Sequence, residues 1–146
     1  MTVVSFEQYT YDHRETTKSM SPFRPTVQQL LNLTILAKYL QSLPKNYRHF
    51  NMGTYAWAYG GMSWRDIVSG KEYLTECGSS ACAIGHGPAA GIPIEYSDAY
   101  WPSYSKRVFG TDDSSTQEGY YMFGGLHTDN HREAAERILN IVEMHS

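Results

Sequence analysis

Two residues that can do chemistry, Cys82 and His86, stand four positions apart in the chain. On a helix, this spacing places both side chains on one face. A thiol beside an imidazole is the minimum of a cysteine nucleophile and its base. Cys77 offers a second thiol just before the same segment, where a helix dipole lowers a thiol pKa. A cysteine-dependent hydrolase or transferase that uses Cys77 or Cys82 with His86 is therefore one alternative.

The same three side chains are ligand types that zinc sites use. His127 and His131 add an x3 histidine pair, but the two straddle an expected helix start and need not converge. The Cys-x2-Cys pair typical of structural zinc is absent. The sequence therefore predicts neither a metal nor another cofactor, and a metal site at Cys77, Cys82 and His86 stays an alternative.

A binding surface is the third kind of site that these residues allow. Backbone amides near Ser79 and Ser80 can hold an anion at the start of a helix. The chain also has twelve Tyr, three Trp and five Phe, and Tyr and Trp anchor interfaces as well as cores. The candidate binding residues are Ser79, Ser80, Tyr55, Trp57, Trp101 and Tyr104.

The clearest element is a helix that follows Thr26 and stops at Pro44. Thr26 with Gln29 forms a capping-box pattern, and a proline cannot continue the helix. Ten apolar residues in this segment form a surface wider than one stripe. Such a helix is expected to be central and buried on most sides.

Local signals place the remaining helices. A short helix is predicted over roughly 80–86, a second from Trp101-Pro102 to Phe109 with Gly110 beyond it, and a third from a Ser115–Glu118 capping box to Phe123. Asn130 opens a long amphipathic helix that runs to residue 144. The sequence thus predicts a mainly α fold, with α+β as the alternative if the strand predicted at Thr54 to Tyr59 belongs to a small β-hairpin. Residues 1–25 are predicted to be an N-terminal arm and 26–146 a single helical domain.

Composition excludes several classes of partner. The chain has 146 residues and a formal net charge of −3, with no basic stripe, so nucleic-acid binding is disfavoured. It contains no run of about 20 apolar residues that would span a membrane and no signal-peptide pattern. Two cysteines do not make a disulfide scaffold. These features predict a cytoplasmic protein.

Three segments together resemble a family of small uncharacterised proteins of bacteria and their phages. They are Phe50-Asn51-Met52, the run Cys77-Gly-Ser-Ser-Ala-Cys-Ala-Ile-Gly-His86, and Val108-Phe109-Gly110, followed by a closing amphipathic helix. The family pattern is Cys-Gly-[Thr/Ser]-x-x-Cys-x-x-Gly-[His/Trp] after a Phe-Asp-Met-like segment, and this chain has Asn51 in place of the Asp. The resemblance implies a small, phage-borne accessory protein, and it supplies no activity that could be transferred to this chain.

Taken together, these features predict a non-catalytic binding protein. The resemblance implies a phage accessory or counter-defence factor that binds a host protein in the host cytoplasm. One alternative is a small-molecule sponge, in which the amides near Ser79 and Ser80 hold a phosphate and aromatic residues stack a base. The cysteine-dependent enzyme is the other alternative.

Overall fold

In a computed structural model, the described residues are 21–51, 82–124 and 130–146. They form four α-helices, α1 (Val27–Ser42), α2 (Trp101–Phe109), α3 (Gln117–Phe123) and α4 (His131–Met144), and a 3-10 helix at Ile84–His86. These residues contain no strand, and the predicted mainly helical fold is confirmed. The strand predicted at residues 54–59 lies outside the described residues.

Helix α1 begins as its capping box predicts. The Thr26 hydroxyl accepts a hydrogen bond from the Gln29 amide at 3.1 Å, and the Gln29 side chain accepts one from the Thr26 amide at 2.9 Å. These two bonds satisfy amides that the first helical turn leaves without partners. The helix ends at Ser42, two residues before Pro44.

Side chains on one edge of α1 bind the C-terminal end of α2. Gly110, predicted as the residue that ends α2, has φ +82°, a conformation that favours glycine. The Gln29 side-chain amide faces the Lys106 and Arg107 carbonyls at 3.4 and 3.3 Å, and Asn32 donates to the Val108 carbonyl at 2.9 Å. Polar residues of α1 therefore satisfy the last carbonyls of α2 and fix how the two helices pack.

The start of α3 lies one residue later than predicted. The capping residue is Thr116, whose hydroxyl accepts from the Gly119 amide at 2.8 Å, and the prediction of Ser115 as the cap is wrong. Ser115 instead completes a turn, in which its amide donates to the Asp112 carboxylate at 2.8 Å and its hydroxyl accepts from the Asp112 amide at 3.3 Å. A hydroxyl already used in that turn is not placed to cap the helix.

Helix α4 begins at the predicted cap, where the Asn130 side chain accepts from the Arg132 and Glu133 amides. Its buried face is the predicted one, with four residues inside the core: Ala134, Ala135, Ile138 and Ile141. Helix α1 packs chiefly against α4 and also against α2, while α3 packs on α4. The core therefore lies between α1 and α4.

Helix α1 is buried on one side only, contrary to the expectation that it would be buried on most sides. Its inner face places Leu33, Leu36, Ala37 and Leu40 in the core, each fully buried. On the opposite side Val27, Leu31 and Ile35 are 86, 50 and 37% exposed. We call these three residues the outer face of α1. The helix is thus apolar on both sides, and the described core covers only one of them.

The segment before α1 is held to the domain at two points. The Phe23 ring is buried and meets the His145 ring edge-on at 5.1 Å, and the Ser21 amide donates to the Ser115 carbonyl at 2.9 Å. Residues 1–20 of the predicted arm lie outside the described residues. Of the helices that are described, none is both long enough and apolar enough to cross a bilayer.

Candidate functional site

Cys82 and His86 lie at the 3-10 helix Ile84–His86. This helix occupies the end of the segment 80–86 that is predicted to be helical, and residues 80 and 81 of that segment lie outside the described residues. The His86 amide donates to the Cys82 and Ala83 carbonyls, both at 3.1 Å. This tight turn follows from the small residues around it. Both side chains are buried, with Cys82 4% and His86 0% exposed.

Both ring nitrogens of His86 make hydrogen bonds, and neither bond is to the Cys82 thiol. Nδ1 lies 2.7 Å from the backbone oxygen of Cys82, which can only accept, so Nδ1 carries the proton. Nε2 is then the acceptor, and the Tyr47 hydroxyl donates to it at 2.8 Å. In place of the thiol–imidazole pair that the enzyme alternative requires, the structure shows a carbonyl–histidine–tyrosine chain.

Burial keeps this chain neutral. It lowers the pKa of His86 to about 4, an effect that the charges of His49 and His131 reinforce and the hydrogen bond to Cys82 opposes. Burial also raises the pKa of Tyr47, and Tyr39 adds to that rise. Near neutral pH the imidazole is uncharged and the phenol keeps its proton. The bond between them therefore positions two neutral rings.

The Cys82 thiol is not activated by its surroundings. Burial raises its pKa to about 12, and the nearby backbone amides of Gly85 and Ile84 lower it by less. A nucleophilic cysteine needs the thiolate near neutral pH, which a depressed pKa provides. This environment favours an inert core thiol. Cys77, the other candidate nucleophile, lies outside the described residues.

His131, which sequence reasoning considered only as a possible metal ligand, joins two helices. Its Nδ1 lies 2.9 Å from the Leu40 carbonyl and its Nε2 lies 3.0 Å from the Pro44 carbonyl. The side chain thereby ties the start of α4 to the last turn of α1.

Tyr47 stands at the centre of these rings. Its ring meets those of His49, His86 and His131 edge-on, at centroid distances of 5.3, 5.5 and 5.8 Å. We call this group, together with Phe50, the histidine cluster. Among the described residues no group of three histidine, cysteine or carboxylate side chains is arranged to hold a metal ion. Sequence reasoning missed this cluster because His86 and His131 lie far from Tyr47, His49 and Phe50 in the chain.

The predicted binding residues divide into described and undescribed ones. Trp101 and Tyr104 are core residues, 1 and 0% exposed, and pack edge-on with centroids 5.6 Å apart. The Tyr104 hydroxyl donates to the Ile92 carbonyl at 2.5 Å. A Cβ on Gly87 would collide with that hydroxyl, so the small residue permits the close approach. Tyr55, Trp57, Ser79 and Ser80 lie outside the described residues.

The outer face of α1 is exposed and apolar, whereas His86 and His131 of the histidine cluster are buried. Its three side chains recur at positions i, i+4 and i+8, so they form one continuous apolar row along the helix. Exposed Lys38 extends the row toward the C-terminal end, and exposed Arg24 precedes it. An exposed apolar row with a polar rim is the usual form of a protein-docking surface.

Comparison of the chain with protein-family models, with curated proteins and with solved structures found no match.

Proposed function

We propose that this protein is a non-catalytic binding protein that holds another protein on the outer face of α1. The observation that carries the proposal is the exposure of Val27, Leu31 and Ile35 on the side of α1 opposite the core. Isolated exposed aliphatic residues are ordinary, but a row of three along one helix is a contact surface. Helix-in-groove recognition uses anchors at this spacing.

Burial of the apolar row alone does not provide micromolar affinity. Complete burial of a Val, Leu or Ile side chain stabilises by about 1.5–3 kcal/mol, so covering the exposed fractions of these three gains roughly 3–5 kcal/mol. Micromolar binding needs about 8 kcal/mol, after the costs of association. The partner must therefore also contact the polar and charged residues that surround the row.

The state of Cys82 and His86 also supports a binding role. The thiol has a raised pKa, and both ring nitrogens of His86 are engaged in structural hydrogen bonds. In this proposal the described residues 82–86 are a packed turn in the core. The resemblance described above adds the context, in which the partner is a host protein and this chain is a phage accessory or counter-defence factor.

Capture of partner proteins from a bacterial lysate tests the proposal when baits with and without an intact outer face are compared. The wild-type chain, a Leu31→Ser/Ile35→Ser double variant and a Tyr96→Ser control, whose residue is 94% exposed elsewhere, serve as baits. We expect a protein that the wild type and the control retain and the double variant loses. Equal capture by all three baits would rule out the outer face as the binding surface.

The two alternatives rest on residues outside the described ranges. The small-molecule sponge depends on Ser79 and Ser80, and the cysteine-dependent enzyme now depends on Cys77. Native mass spectrometry of the purified chain addresses the first, because a retained nucleotide-sized mass would favour the sponge. Rapid alkylation of Cys77 near neutral pH would favour the enzyme.

A further inference from the structure

We propose that the partner presents an acidic amphipathic helix to the outer face of α1. This inference rests on the proposed function and names the chemistry of its partner. Residues 21–51 contain four of the twelve Lys and Arg of the chain and none of its fifteen Asp and Glu. A segment with this charge balance is unusual in a chain whose formal net charge is −3. The segment that carries the outer face of α1 is therefore basic.

Two of the four cations, Arg24 and Lys38, flank the outer face of α1. Arg24, Lys38, Lys45 and Arg48 are all exposed, and no ion pair between described residues involves any of them. Lys38 lies eleven residues after Val27, on the same side of α1 as the apolar row. Arg24 is exposed three residues before Val27, so cations stand at both ends of the row.

Charge complementarity selects the occupant. A helix with apolar residues at i, i+3 or i+4, and i+7 covers the row, and carboxylates beyond its apolar residues meet Arg24 and Lys38. Such charges raise the association rate and exclude partners of the wrong sign. A second copy of this chain is disfavoured. An antiparallel α1–α1 contact would set each Arg24 against the other copy's Lys38, and like charges oppose pairing.

The first experiment asks whether the outer face is open in the free chain. Hydroxyl-radical footprinting of the full-length protein reports the solvent access of individual side chains, and light scattering reports the number of subunits. We expect oxidation at Leu31 and Ile35 well above that at Leu36 and Ile138, fully buried residues of the same types, in a monomer. Protection of both residues would overturn the inference, because the face would then be covered by this chain or by a second copy.

The second experiment selects peptides from a random library on the full-length chain and measures their affinities for variants. We expect enriched sequences with a helical apolar repeat and an excess of Asp and Glu at its ends. Lys38→Glu should weaken these peptides by about five- to tenfold, while Arg132→Glu, an exposed charge reversal on α4, should leave them unchanged. Binding of the peptides should also fall as salt is added.

The outcomes separate the two proposals. Peptides that need Leu31 and Ile35 but show no acidic excess, or that bind Lys38→Glu equally well, would leave the binding function standing and overturn the acidic partner. Selected peptides that bind the Leu31→Ser/Ile35→Ser variant as well as the wild type would overturn both. Anionic vesicles that bind the wild type, lose binding with the same variants and displace the peptides would assign the face to a membrane surface instead.

Discussion

The histidine cluster and the outer face of α1 show opposite relations between residue type and role. The cluster holds side chains with rich chemistry, yet His86 and His131 each direct both ring nitrogens at partners inside the protein. The outer face holds only aliphatic side chains, yet these are the ones that solvent reaches. Availability to a partner, rather than reactivity in isolation, distinguishes a site from a structural element.

The two regions are joined through α1. His131 contacts the carbonyls of Leu40 and Pro44 at the C-terminal end of this helix, and Tyr47 follows three residues later. The cluster thus fixes the end of the same helix whose outer side is exposed. Changes that loosen the cluster should destabilise the domain, whereas changes on the outer face should alter binding and leave stability nearly constant.

The largest expected effect that tests the difference between the histidine cluster and the outer face is on the reactivity of the Cys82 thiol. Because burial raises the pKa of Cys82 to about 12, from an ordinary value of 9.0, its thiolate fraction near neutral pH falls about a thousandfold. Iodoacetamide at pH 8, followed by peptide mapping, should leave Cys82 unmodified in the native protein and modify it in urea. Alkylation of native Cys82 at the rate seen in urea would show that the cluster is open.

Truncation on the two sides of α1 gives the next largest effect. Leu36→Ala removes a fully buried side chain and should lower the free energy of unfolding by about 2–5 kcal/mol. Leu31→Ala, the matched change on the outer face, should alter it by less than about 0.5 kcal/mol. Urea denaturation measures both values. Equal losses would mean that the outer face is covered in the free protein.

The helix starts and ends were largely predictable from sequence because capping is local chemistry. Thr26 with Gln29, Asn130 and Gly110 each act within a few residues of their own position. The exception, Thr116 in place of Ser115, arose because the Ser115 hydroxyl accepts from the Asp112 amide in a turn. The capping-box rule favoured Ser115 since Glu118 follows it by three residues.

The side of α1 that faces solvent was not predictable, because apolar residues occupy both sides and periodicity then selects neither. The partners of His86 were equally hidden. Tyr47 lies 39 residues away in sequence, and nothing in the local pattern pairs the two. The Cys82–His86 spacing corresponds to a helical turn, but the ring contacts the Cys82 backbone oxygen, a partner that the spacing does not reveal.

Acidification should weaken the domain through His86. The unfolded ring takes up a proton near its ordinary pKa of 6.5 and the folded ring only near 4, so the unfolded chain binds more protons between these values. Stability therefore falls as the pH falls through this window, by about 2 kcal/mol at pH 5. Asp98, whose pKa lies below its ordinary 3.8 because of its bonds to Arg107, contributes no loss at pH 5.

Urea denaturation at pH 7 and pH 5 measures this loss, and His86→Gln provides the control. The variant lacks the titrating ring but keeps His49, His131 and every carboxylate, so the difference between the two chains isolates His86. We expect the wild type to lose more stability than the variant over this interval. Identical losses would show that the burial of His86 does not control the acid response.

Tyr47→Phe gives the smallest expected change and tests the cluster most directly. It keeps the ring that packs against His49, His86 and His131 but removes the hydroxyl that donates to His86 Nε2. A buried acceptor left without a partner costs about 1–2 kcal/mol, whereas Tyr96→Phe at an exposed position should cost nothing measurable. Because the Tyr47 hydroxyl stabilises the neutral imidazole, its loss should also reduce the acid sensitivity that His86 confers. A variant as stable and as acid-sensitive as the wild type would mean that water replaces the hydroxyl, and that the cluster is as open to solvent as the outer face of α1.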